Sequence, residues 1–485
     1  TFLLFCVLTA LIKSYIILRK NKGVSRVLYK IEDVDKLNRN EIRKLYSDYV
    51  NSGLASMLSL MNFDKNFVRA EGCYVWDSDG KRYIDYLGAY GALNLGHNPS
   101  VIQEALSKVK QKPNLLQASL STYAAVLGHN LAQIAPKGLK HSFFCNSGAE
   151  AVEGALKAAR GATGKTKIIS CEGSFHGKSF GALSATGREK YQKPFAPLVP
   201  DFEKVPYNDL SALEEKLKSN DVAAFIVEPI QGEGGVIVPD PGYLKEAREL
   251  CHRYNTLIIF DEIQTGLGRT GKMFACEYDD ISPDIMTLAK SLGGGIMPIG
   301  AFITTEDVWN RAFGGMEKAL LHTSTFGGNT WACTAGIASI NALVENNLPQ
   351  RALEMGEYLL KGLRELKERY PLIKDVRGRG LLIGLELNTP KGGFLNMMTG
   401  GAIGNIYKEY AGAMVAGELL NKHQIITAYT LNNPNVIRLE PPLIISKQDI
   451  DELLNALEDI LSKNKGLFSL TLSTVKTATS SLFSK

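Results

Sequence analysis

Short apolar runs alternate with amphipathic stretches along the middle of the chain. The runs in "TKIISCEGSFHG", "VAAFIVEPIQGEGG", "NTLIIFDEIQTG" and "GAFITT" are rich in β-branched residues and end in polar or glycine-rich loops, which is typical of buried strands. Helical periodicity over 210–219 and 242–254 lies between these runs. "HSFFCNSGAEAVEGALKAAR" predicts a strand over 142–145, a turn of small residues and a helix from about Ala149. Strands separated by helices predict an α/β fold with a mostly parallel central sheet, which binds ligands at the carboxyl ends of its strands.

The pattern changes in the last third of the chain. Residues 335–370 predict one or two long helices, and strands are predicted over 381–387 and 436–439. This change indicates a second, smaller α+β domain. The final stretch "GLFSLTLSTVKTATSSLFSK" is rich in Ser and Thr and has no clear period, so it is predicted to be peripheral or disordered.

The first residues of the chain allow more than one interpretation. "TFLLFCVLTALIKSYIIL" is strongly apolar but contains Lys13, and the basic stretch "RKNKGVSR" follows it. A membrane-spanning helix needs about 20 apolar residues, and a signal peptide carries its positive charges before the apolar run rather than after it. The chain begins with Thr rather than Met. A membrane anchor over 1–20, a buried helix and a remnant of a longer chain therefore all stay open.

These patterns divide the chain into predicted parts. With 485 residues, it is long enough for a large and a smaller domain that each have a core. The predicted parts are the apolar segment 1–20, a basic linker with N-terminal helices over 21–65, the first part of the small domain over 66–113, the large domain over 114–340, the C-terminal part of the small domain over 341–463, and the tail 464–485.

Composition narrows the classes of function. The net charge of +5 is small for this length and no dense Lys/Arg stripe occurs, so nucleic acid is not an expected partner. Seven cysteines form no C-x-x-C pair, which is typical of a reduced cytoplasmic protein. The seven histidines are dispersed without an H-E-x-x-H motif, so no metal site is predicted.

Two charged residues that follow strand-like runs are candidates for a chemical role. Asp261 ends "LIIFD", and Lys290 follows "DIMTLA" and precedes "SLGGG". Taken alone, the acid is explained by a helix cap or a partner arginine, and the lysine by a phosphate contact, a Schiff-base nucleophile or a solvated surface position. Together the two residues fit pyridoxal phosphate, which needs a lysine for its aldehyde and an acid facing its pyridine nitrogen.

A phosphate group also needs a binding site. Ser147, Gly148 and Ala149 are small residues at a predicted helix N-terminus, where free N–H groups and the helix dipole favour an anion, although a simple helix cap explains them equally well. The P-loop-like "GATGKT" has Ala159 where the first glycine is required. "GRGLLIG" has the wrong glycine spacing for a dinucleotide fingerprint. An ATPase and a nicotinamide enzyme are therefore disfavoured.

A family resemblance follows from several motifs in combination. They are "NSGAEAVEGALK", "GSFHGKSFGALSATG", "VEPIQGEGGV", "IIFDEIQTGLGRTGKMFACE", "DIMTLAKSLGGGIMPIGA" and "TSTFGGN". From about residue 66 to 446 the chain resembles the class III (subgroup II) pyridoxal-phosphate aminotransferases, the group of ornithine, acetylornithine, 4-aminobutyrate and putrescine aminotransferases. "FHGKSFGALSATG" and "TLNNPNVIRLEPPL" are closest to the putrescine type. The resemblance implies the type I fold of pyridoxal-phosphate transferases.

The resemblance also implies roles around the cofactor ring. Lys290 would bond covalently to the cofactor and then move the proton between the substrate carbon and the cofactor. Asp261 would pair with the pyridine nitrogen, and Gln264 would reach the ring hydroxyl. Phe175 would stack on the ring, although burial alone also explains an aromatic residue there. Glu228 would support Asp261 and Gln264 from behind.

Further roles concern the phosphate and the second subunit. Ser147, Gly148 and Ala149 would hold the phosphate. Thr325 of "TSTFGGN" would reach the phosphate of the neighbouring subunit, which implies a homodimer with shared active sites. His176 would either tune the ring or only pack beside it.

Other residues bear on the substrates. In the resemblance Arg438 binds the carboxylate of 2-oxoglutarate or glutamate, and Glu233 neutralises this arginine when the substrate has no carboxylate there. Tyr90 is placed at the substrate as well. Lys178 stands where ornithine-type members carry arginine, which argues against a strict ornithine enzyme. The stretch 391–412 differs from the shortest family members and is expected to shape substrate entry.

Three functions remain open from the sequence. The first is a transaminase that moves an amino group from putrescine or a similar diamine to 2-oxoglutarate, with ornithine, acetylornithine and 4-aminobutyrate as alternative donors. The second is the aminating module of a biosynthetic assembly, which acts on an aldehyde from an upstream reductase. The third is a membrane-anchored regulatory protein without catalysis, and the intact Lys290, Asp261 and Gln264 argue against it. The expected location is cytoplasmic, with membrane association through 1–20 left open.

Overall fold

The computed structural model describes residues 28–388 and 402–464, and for 402–410 it describes the main chain alone. The chain forms two compact units, of which the second begins at Met57. The predicted apolar segment 1–20 lies outside the described residues, as do the tail beyond residue 464 and residues 391–401 of the stretch 391–412. No helix in the described parts is long and apolar enough to cross a membrane. The six-part division of the chain stays a prediction.

Several helices begin at a residue whose side chain caps them. The second helix of the chain, for example, begins after Asn38, whose side chain accepts hydrogen bonds from the main-chain N–H groups of Asn40 and Glu41. Two helices occupy the region where one or two were predicted, and they are separated at Asn347, which has a left-handed φ of +47°. In chain order the helices are α1 (Ile31–Val34), α2 (Arg39–Tyr49), α3 (Ser52–Leu60), α4 (Ser100–Val109), α5 (Thr122–Ile134), α6 (Gly148–Thr163), α7 (Phe180–Ala185), α8 (Glu189–Gln192), α9 (Leu210–Leu217), α10 (Tyr243–Arg253), α11 (Glu306–Phe313), α12 (Thr330–Glu345), α13 (Leu348–Arg369), α14 (Ala402–His423) and α15 (Lys447–Lys463).

The strands form three sheets. In chain order they are β1 (Phe67–Glu71), β2 (Tyr74–Asp77), β3 (Arg82–Asp85), β4 (Leu139–Cys145), β5 (Lys167–Cys171), β6 (Phe202–Val205), β7 (Val222–Val227), β8 (Leu257–Asp261), β9 (Ile285–Leu288), β10 (Gly300–Thr305), β11 (Ile373–Arg379), β12 (Leu382–Leu387), β13 (Ile425–Ile426), β14 (Ala428–Tyr429) and β15 (Val436–Leu439). The sheets have the orders β4-β10-β9-β8-β7-β5-β6, β1-β2-β3-β13 and β11-β12-β15-β14.

The seven-stranded sheet confirms the prediction of a mostly parallel α/β fold. Pairs β5/β6, β5/β7, β7/β8 and β8/β9 are parallel. Strand β10, predicted as one more repeat of the same pattern, instead pairs antiparallel with both β9 and β4. Every residue of β7 and β8 is buried, which is why these strands are continuous apolar runs rather than alternating ones.

This sheet brings the chemically important residues to one edge. Asp261 is the last residue of β8, and Lys290 follows β9 by two residues. Glu228 comes directly after β7, Phe175 lies in the loop after β5, and Ser147 lies in the turn after β4. Because the carboxyl ends of parallel strands meet at the same edge of a sheet, residues far apart in the sequence converge there.

Candidate active site

The converging residues line one open cavity of about 850 Å³, a volume typical of a small-molecule site. Most of the residues predicted for the cofactor and the substrate contribute to its wall. The residues from the prediction that line it are Tyr90, Ser147, Gly148, Ala149, Phe175, His176, Glu228, Glu233, Asp261, Gln264 and Lys290. Arg438 and Thr325 lie outside this lining.

Lys290 has an unusual main chain and a perturbed amine. It begins a short 3₁₀ turn with a left-handed φ of +49°, which costs about 1–2 kcal/mol for a residue with a Cβ atom. Burial lowers the pKa of Lys290 below its usual value, although the carboxylates of Glu440, Glu233 and Asp261 oppose this. A lowered pKa increases the fraction of neutral amine, which is the form that attacks a carbonyl group.

The glycines after Lys290 explain the run "SLGGG". Gly294 and Gly295 both have left-handed φ angles, of +63° and +75°. A Cβ atom on Gly294 would lie 2.6 Å from the side chain of Ile102, and one on Gly295 would lie 2.5 Å from that of Leu93. The run therefore lets the main chain after Lys290 turn sharply against packed side chains.

Asp261 is fixed by three partners. Its Oδ1 accepts hydrogen bonds from the hydroxyl of Thr287 (3.0 Å) and the main-chain N–H of Ile263 (3.2 Å). Its Oδ2 lies 2.7 Å from Nδ1 of His176. Since a carboxylate only accepts, this contact favours the tautomer of His176 that carries its proton on Nδ1. His176 therefore orients the acid in addition to packing in the wall of the cavity.

The N-terminus of α6 forms another part of the wall. Ser147 is its N-cap, and the Ser147 hydroxyl accepts a hydrogen bond from the main-chain N–H of Glu150 (3.2 Å). The hydroxyl can still donate its own proton. The first-turn N–H groups of a helix have no partner within the helix, so Gly148 and Ala149 offer donors to an anion at the positive end of the helix dipole.

Glu228 contacts other groups than the predicted ones. Its Oε1 accepts a hydrogen bond from the main-chain N–H of Phe175 (2.9 Å), and its Oε2 accepts one from that of Gly232 (3.0 Å). Burial raises the pKa of Glu228 from 4.5 to about 7. Its carboxyl group thus fixes the loop that carries Phe175 rather than bonding to Asp261 or Gln264, because both of its oxygens face main-chain donors.

Arg438 is fully buried at the edge of the site. Its Nη1 donates to Oε1 of Glu233 at 2.6 Å, and the ring of Tyr90 lies over the guanidinium group at 5.0 Å. Among the described residues, no acceptor forms a hydrogen bond with Nη2 or Nε of Arg438. Although burial opposes it, Glu233 and Glu440 together raise the pKa of Arg438. Glu233 lines the cavity and Arg438 does not, so the hydrogen-bonded carboxylate of Glu233 lies between the guanidinium group and the cavity.

Glu440 also belongs to this cluster, although it is not among the residues predicted from the sequence. It is fully buried, with Oε2 3.4 Å from Nε of Arg438 and 3.1 Å from Nε2 of Gln264. Gln264 uses the same amide nitrogen for the carbonyl group of Tyr90, so its side chain links the substrate region to the cofactor region. An acid two residues after an arginine at the end of a buried strand was the available signal, since i and i+2 share a face.

Lys178 and Thr325 lie further out. Lys178 is exposed and lines the cavity, with Nζ 6.0 Å from the ring centroid of Phe175 and 5.2 Å from that of Tyr191. Thr325 is exposed, and its carbonyl oxygen accepts a hydrogen bond from the side chain of Gln117.

The residues of the cavity fit the pyridoxal phosphate that the resemblance implies. A lysine with a lowered pKa, an acid held in place by three partners and a helix N-terminus line the same space. These match the aldehyde, the ring nitrogen and the phosphate of that cofactor in chemical type. Lys290, Asp261 and Ser147 with the first turn of α6 would hold it.

Comparisons with known proteins agree with this site. The family model for aminotransferase class III matches residues 59–461 of the chain. The ornithine aminotransferase of Toxoplasma gondii ME49 is 32% identical, with a TM-score of 0.76 over 94% of this chain and 98% of its own. A second structure of that enzyme, crystallised with oxidised glutathione, has partial occupancy of PLP at its active site (32% identity, TM-score 0.76, 93% and 98% covered). Acetylornithine aminotransferase from Elizabethkingia anophelis is 31% identical, with a TM-score of 0.72 over 88% of this chain and 100% of its own.

Proposed function

The chain belongs to the class III aminotransferases, and we propose that it transfers the terminal amino group of putrescine or a similar diamine to 2-oxoglutarate, giving glutamate and an aminoaldehyde. The family makes the protein a transaminase that uses pyridoxal phosphate, with an amine and a 2-oxo acid as substrates. The type I fold of pyridoxal-phosphate transferases accompanies this assignment. The diamine and the choice of 2-oxoglutarate are the parts that we propose.

The side chains that line the cavity have different roles in the transfer of the amino group. Bound pyridoxal phosphate withdraws electrons from the substrate carbon beside the transferred nitrogen. Lys290, with its lowered pKa, would take the proton from that carbon through Nζ and deliver it on the cofactor side of the transferred nitrogen. Asp261, whose carboxylate His176 keeps oriented, would face the ring nitrogen of the cofactor. The loop held by Glu228 would present Phe175 to the ring.

The pairing of Arg438 with Glu233 is the observation that carries the choice of substrates. With Glu233 at 2.6 Å, the arginine is neutralised, so a donor amine without a carboxylate at that point leaves no buried charge unpaired. When Glu233 moves aside, the same guanidinium group binds the carboxylate of a 2-oxo acid. One cavity thereby serves a cationic diamine in the first half-reaction and a dicarboxylate in the second.

An ornithine-type or acetylornithine-type donor is the second candidate. The similarity to an ornithine aminotransferase and an acetylornithine aminotransferase, at 32% and 31% identity, favours it. Lys178 in the lining of the cavity favours the diamine instead, because a lysine lacks the planar fork with which an arginine binds a carboxylate.

A homodimer with shared active sites is part of the proposal. Thr325 is exposed and lies outside the lining of the cavity, which supports a role in the site of a second subunit rather than in its own. Phe326, which follows it in the sequence, and Leu320, five residues before it, are exposed apolar side chains. Surfaces of this kind commonly form protein interfaces.

Half-reactions of the purified protein test the proposed substrates. The bound cofactor changes its absorption spectrum when it gains an amino group, so each donor is tested alone. We expect putrescine and cadaverine to convert the spectrum, and 2-oxoglutarate to restore it. Lys290→Ala should lower the rate of conversion by about 10³-fold or more. Conversion by ornithine or acetylornithine, with unchanged spectra in the diamines, would establish the second candidate instead.

A further inference from the structure

The carboxylate of Glu233 is held by two donors from different parts of the chain. Its Oε1 accepts from Nη1 of Arg438 at 2.6 Å, and its Oε2 accepts from the main-chain N–H of Leu431 at 2.7 Å. Glu233 is 7% exposed, and Leu431 lines the cavity beside it. Arg438 and the Leu431 N–H therefore form a two-donor site for a carboxylate group at the wall of the cavity.

We propose that the acceptor's carboxylate binds to both donors, so that the main-chain N–H of Leu431 is a second recognition group beside Arg438. This inference rests on the proposed function, in which Arg438 receives the carboxylate of the 2-oxo acid. Glu233 occupies the site when the substrate lacks a carboxylate there. A carboxylate of the substrate has the same charge and the same two oxygens as Glu233, so the donors that hold one also fit the other.

A second nitrogen of the Arg438 guanidinium group, Nη2, is available to the carboxylate of a substrate. Nη2 is buried, and among the described residues no acceptor forms a hydrogen bond with it. A buried donor without an acceptor is unfavourable. Glu233 contacts Nη1 with one oxygen while its other oxygen is bonded to Leu431. The carboxylate of a substrate is not covalently attached to the chain. It can therefore accept hydrogen bonds from both Nη1 and Nη2, whereas Glu233 accepts from Nη1.

The loop that carries Leu431 is anchored independently of the Glu233 side chain. The main-chain N–H of Asn432 donates to the main-chain oxygen of Glu233 at 2.9 Å. The side chain of Asn432 donates to the carbonyl oxygens of Gly173 (2.8 Å) and Ser174 (3.2 Å). These contacts remain when the Glu233 carboxylate moves aside, so the Leu431 N–H keeps its position. A donor fixed in advance binds an anion without reorganising.

This arrangement makes the N–H group selective for one half-reaction. During the amine half-reaction Nη1 of Arg438 and the Leu431 N–H both stay bonded to Glu233, so these two donors keep their acceptor. During the acceptor half-reaction the incoming carboxylate replaces Glu233 on both donors. Loss of the Leu431 N–H should therefore weaken the 2-oxo acid and leave the amine nearly unaffected.

The variant Leu431→Pro removes the N–H group, and Leu431→Ala is the matched control that shortens the side chain but keeps the N–H. In the holoenzyme, we expect Leu431→Pro to raise the KM for 2-oxoglutarate relative to Leu431→Ala, but by less than the about 10- to 100-fold of a full hydrogen bond to a charged group, because Glu233 loses the same hydrogen bond before 2-oxoglutarate binds. The kcat/KM for the diamine should agree between the two variants within about twofold. Glutarate, which binds but cannot react, should lose affinity in calorimetry by the same factor as 2-oxoglutarate.

The outcomes separate this inference from the proposed function. Equal KM values for 2-oxoglutarate in both variants, or equal losses in both half-reactions, would overturn the role of the N–H group. If Leu431→Pro does not fold, replacement of the Leu431 amide by an ester keeps the side chain, removes the N–H and gives the same comparison. A wild-type protein that accepts amines but never transfers nitrogen to 2-oxoglutarate would overturn the proposed function, and this inference with it.

Discussion

At the scale of single residues, the buried carboxyl group of Glu228 makes stability depend on pH. Burial raises its pKa from 4.5 to about 7, and Asp261 adds to the rise while His176 opposes it. Between these pH values the folded protein keeps a proton that the unfolded chain has lost. The stabilisation is therefore complete below pH 4.5 and is lost as the pH rises through 7.

The variant Glu228→Gln tests this dependence, because glutamine has nearly the same shape but does not titrate. A rise in pKa from 4.5 to about 7 corresponds to about 3 kcal/mol of unfolding free energy. We expect the wild-type protein to lose about this amount relative to the variant between pH 4.5 and pH 8. Denaturant unfolding across that range measures the difference. The amide loses one acceptor oxygen at every pH, so the slopes are compared, and parallel curves would disprove the prediction.

Residues whose role depends on the chemical type of the side chain could be predicted from the sequence. Residues whose role depends on contacts that form only in the folded protein could not. Asp261 and Lys290 stand at the ends of apolar runs and were predicted from that placement. Glu440 gives a weaker signal, since its contacts with Arg438 and Gln264 exist only after β15 has packed. Leu431 gives none, because its polar contact comes from the main chain, which every residue except proline provides.

At the scale of elements, the turn Gly88–Gly91 stands out because its four residues all have left-handed φ angles. The two that are not glycine, Ala89 and Tyr90, cost about 1–2 kcal/mol each in this conformation. Asp85 holds the turn, as its side chain accepts hydrogen bonds from the N–H groups of Leu87 and Gly88. The turn places Tyr90 over Arg438 and keeps the main chain close to Glu440.

The variant Gly91→Ala should disturb this cluster, with Gly80→Ala as its control. Both glycines have left-handed φ, of +82° and +77°. A Cβ atom on Gly91 would lie 2.3 Å from Oε1 of Glu440, whereas one on Gly80 would meet nothing within 4 Å. We expect Gly80→Ala to cost about 1 kcal/mol of stability and Gly91→Ala to cost about 1–3 kcal/mol more. Denaturant unfolding measures both, and equal losses would show that the contact with Glu440 is unimportant.

The strands could be predicted from the sequence where burial determines the pattern of apolar residues. The runs that form β7 and β8 are apolar throughout because both faces of the sheet are covered, and such runs predict a parallel sheet. The direction of β10 could not be predicted, because a fully buried strand has the same composition in either orientation. The break between α12 and α13 had a signal in Pro349, which is favourable in the first turn of a helix.

At the scale of the whole molecule, the surface around Thr325 bears on the proposed dimer. Leu120 and Met316 are each 96% exposed, and Phe326 is 55% exposed. Gln117 donates a hydrogen bond to the carbonyl oxygen of Thr325 at 2.7 Å and so joins the segment that carries Leu120 to the one that carries Phe326. Exposed apolar side chains such as these favour burial against a second copy of the chain.

Hybrid dimers distinguish a shared site from a separate one. Lys290→Ala removes the reacting amine, and Thr325→Asp puts a negative charge where the cofactor's phosphate of the neighbouring subunit is proposed to lie. We expect each variant alone to be nearly inactive, the second through loss of cofactor affinity by like-charge repulsion. A mixture of the two, unfolded and refolded together, is then assayed for transamination.

The number of intact active sites in the hybrid dimer shows whether Thr325 serves its own subunit or the neighbouring one. If Thr325 serves the neighbouring subunit, one site of a hybrid carries both defects and the other carries none, so an equal mixture should recover about a quarter of wild-type activity. If Thr325 serves its own subunit, each site of the hybrid has one defect and the mixture stays inactive. Recovery therefore requires both that the protein is a dimer and that Thr325 crosses the interface, and refolded wild-type protein provides the reference activity.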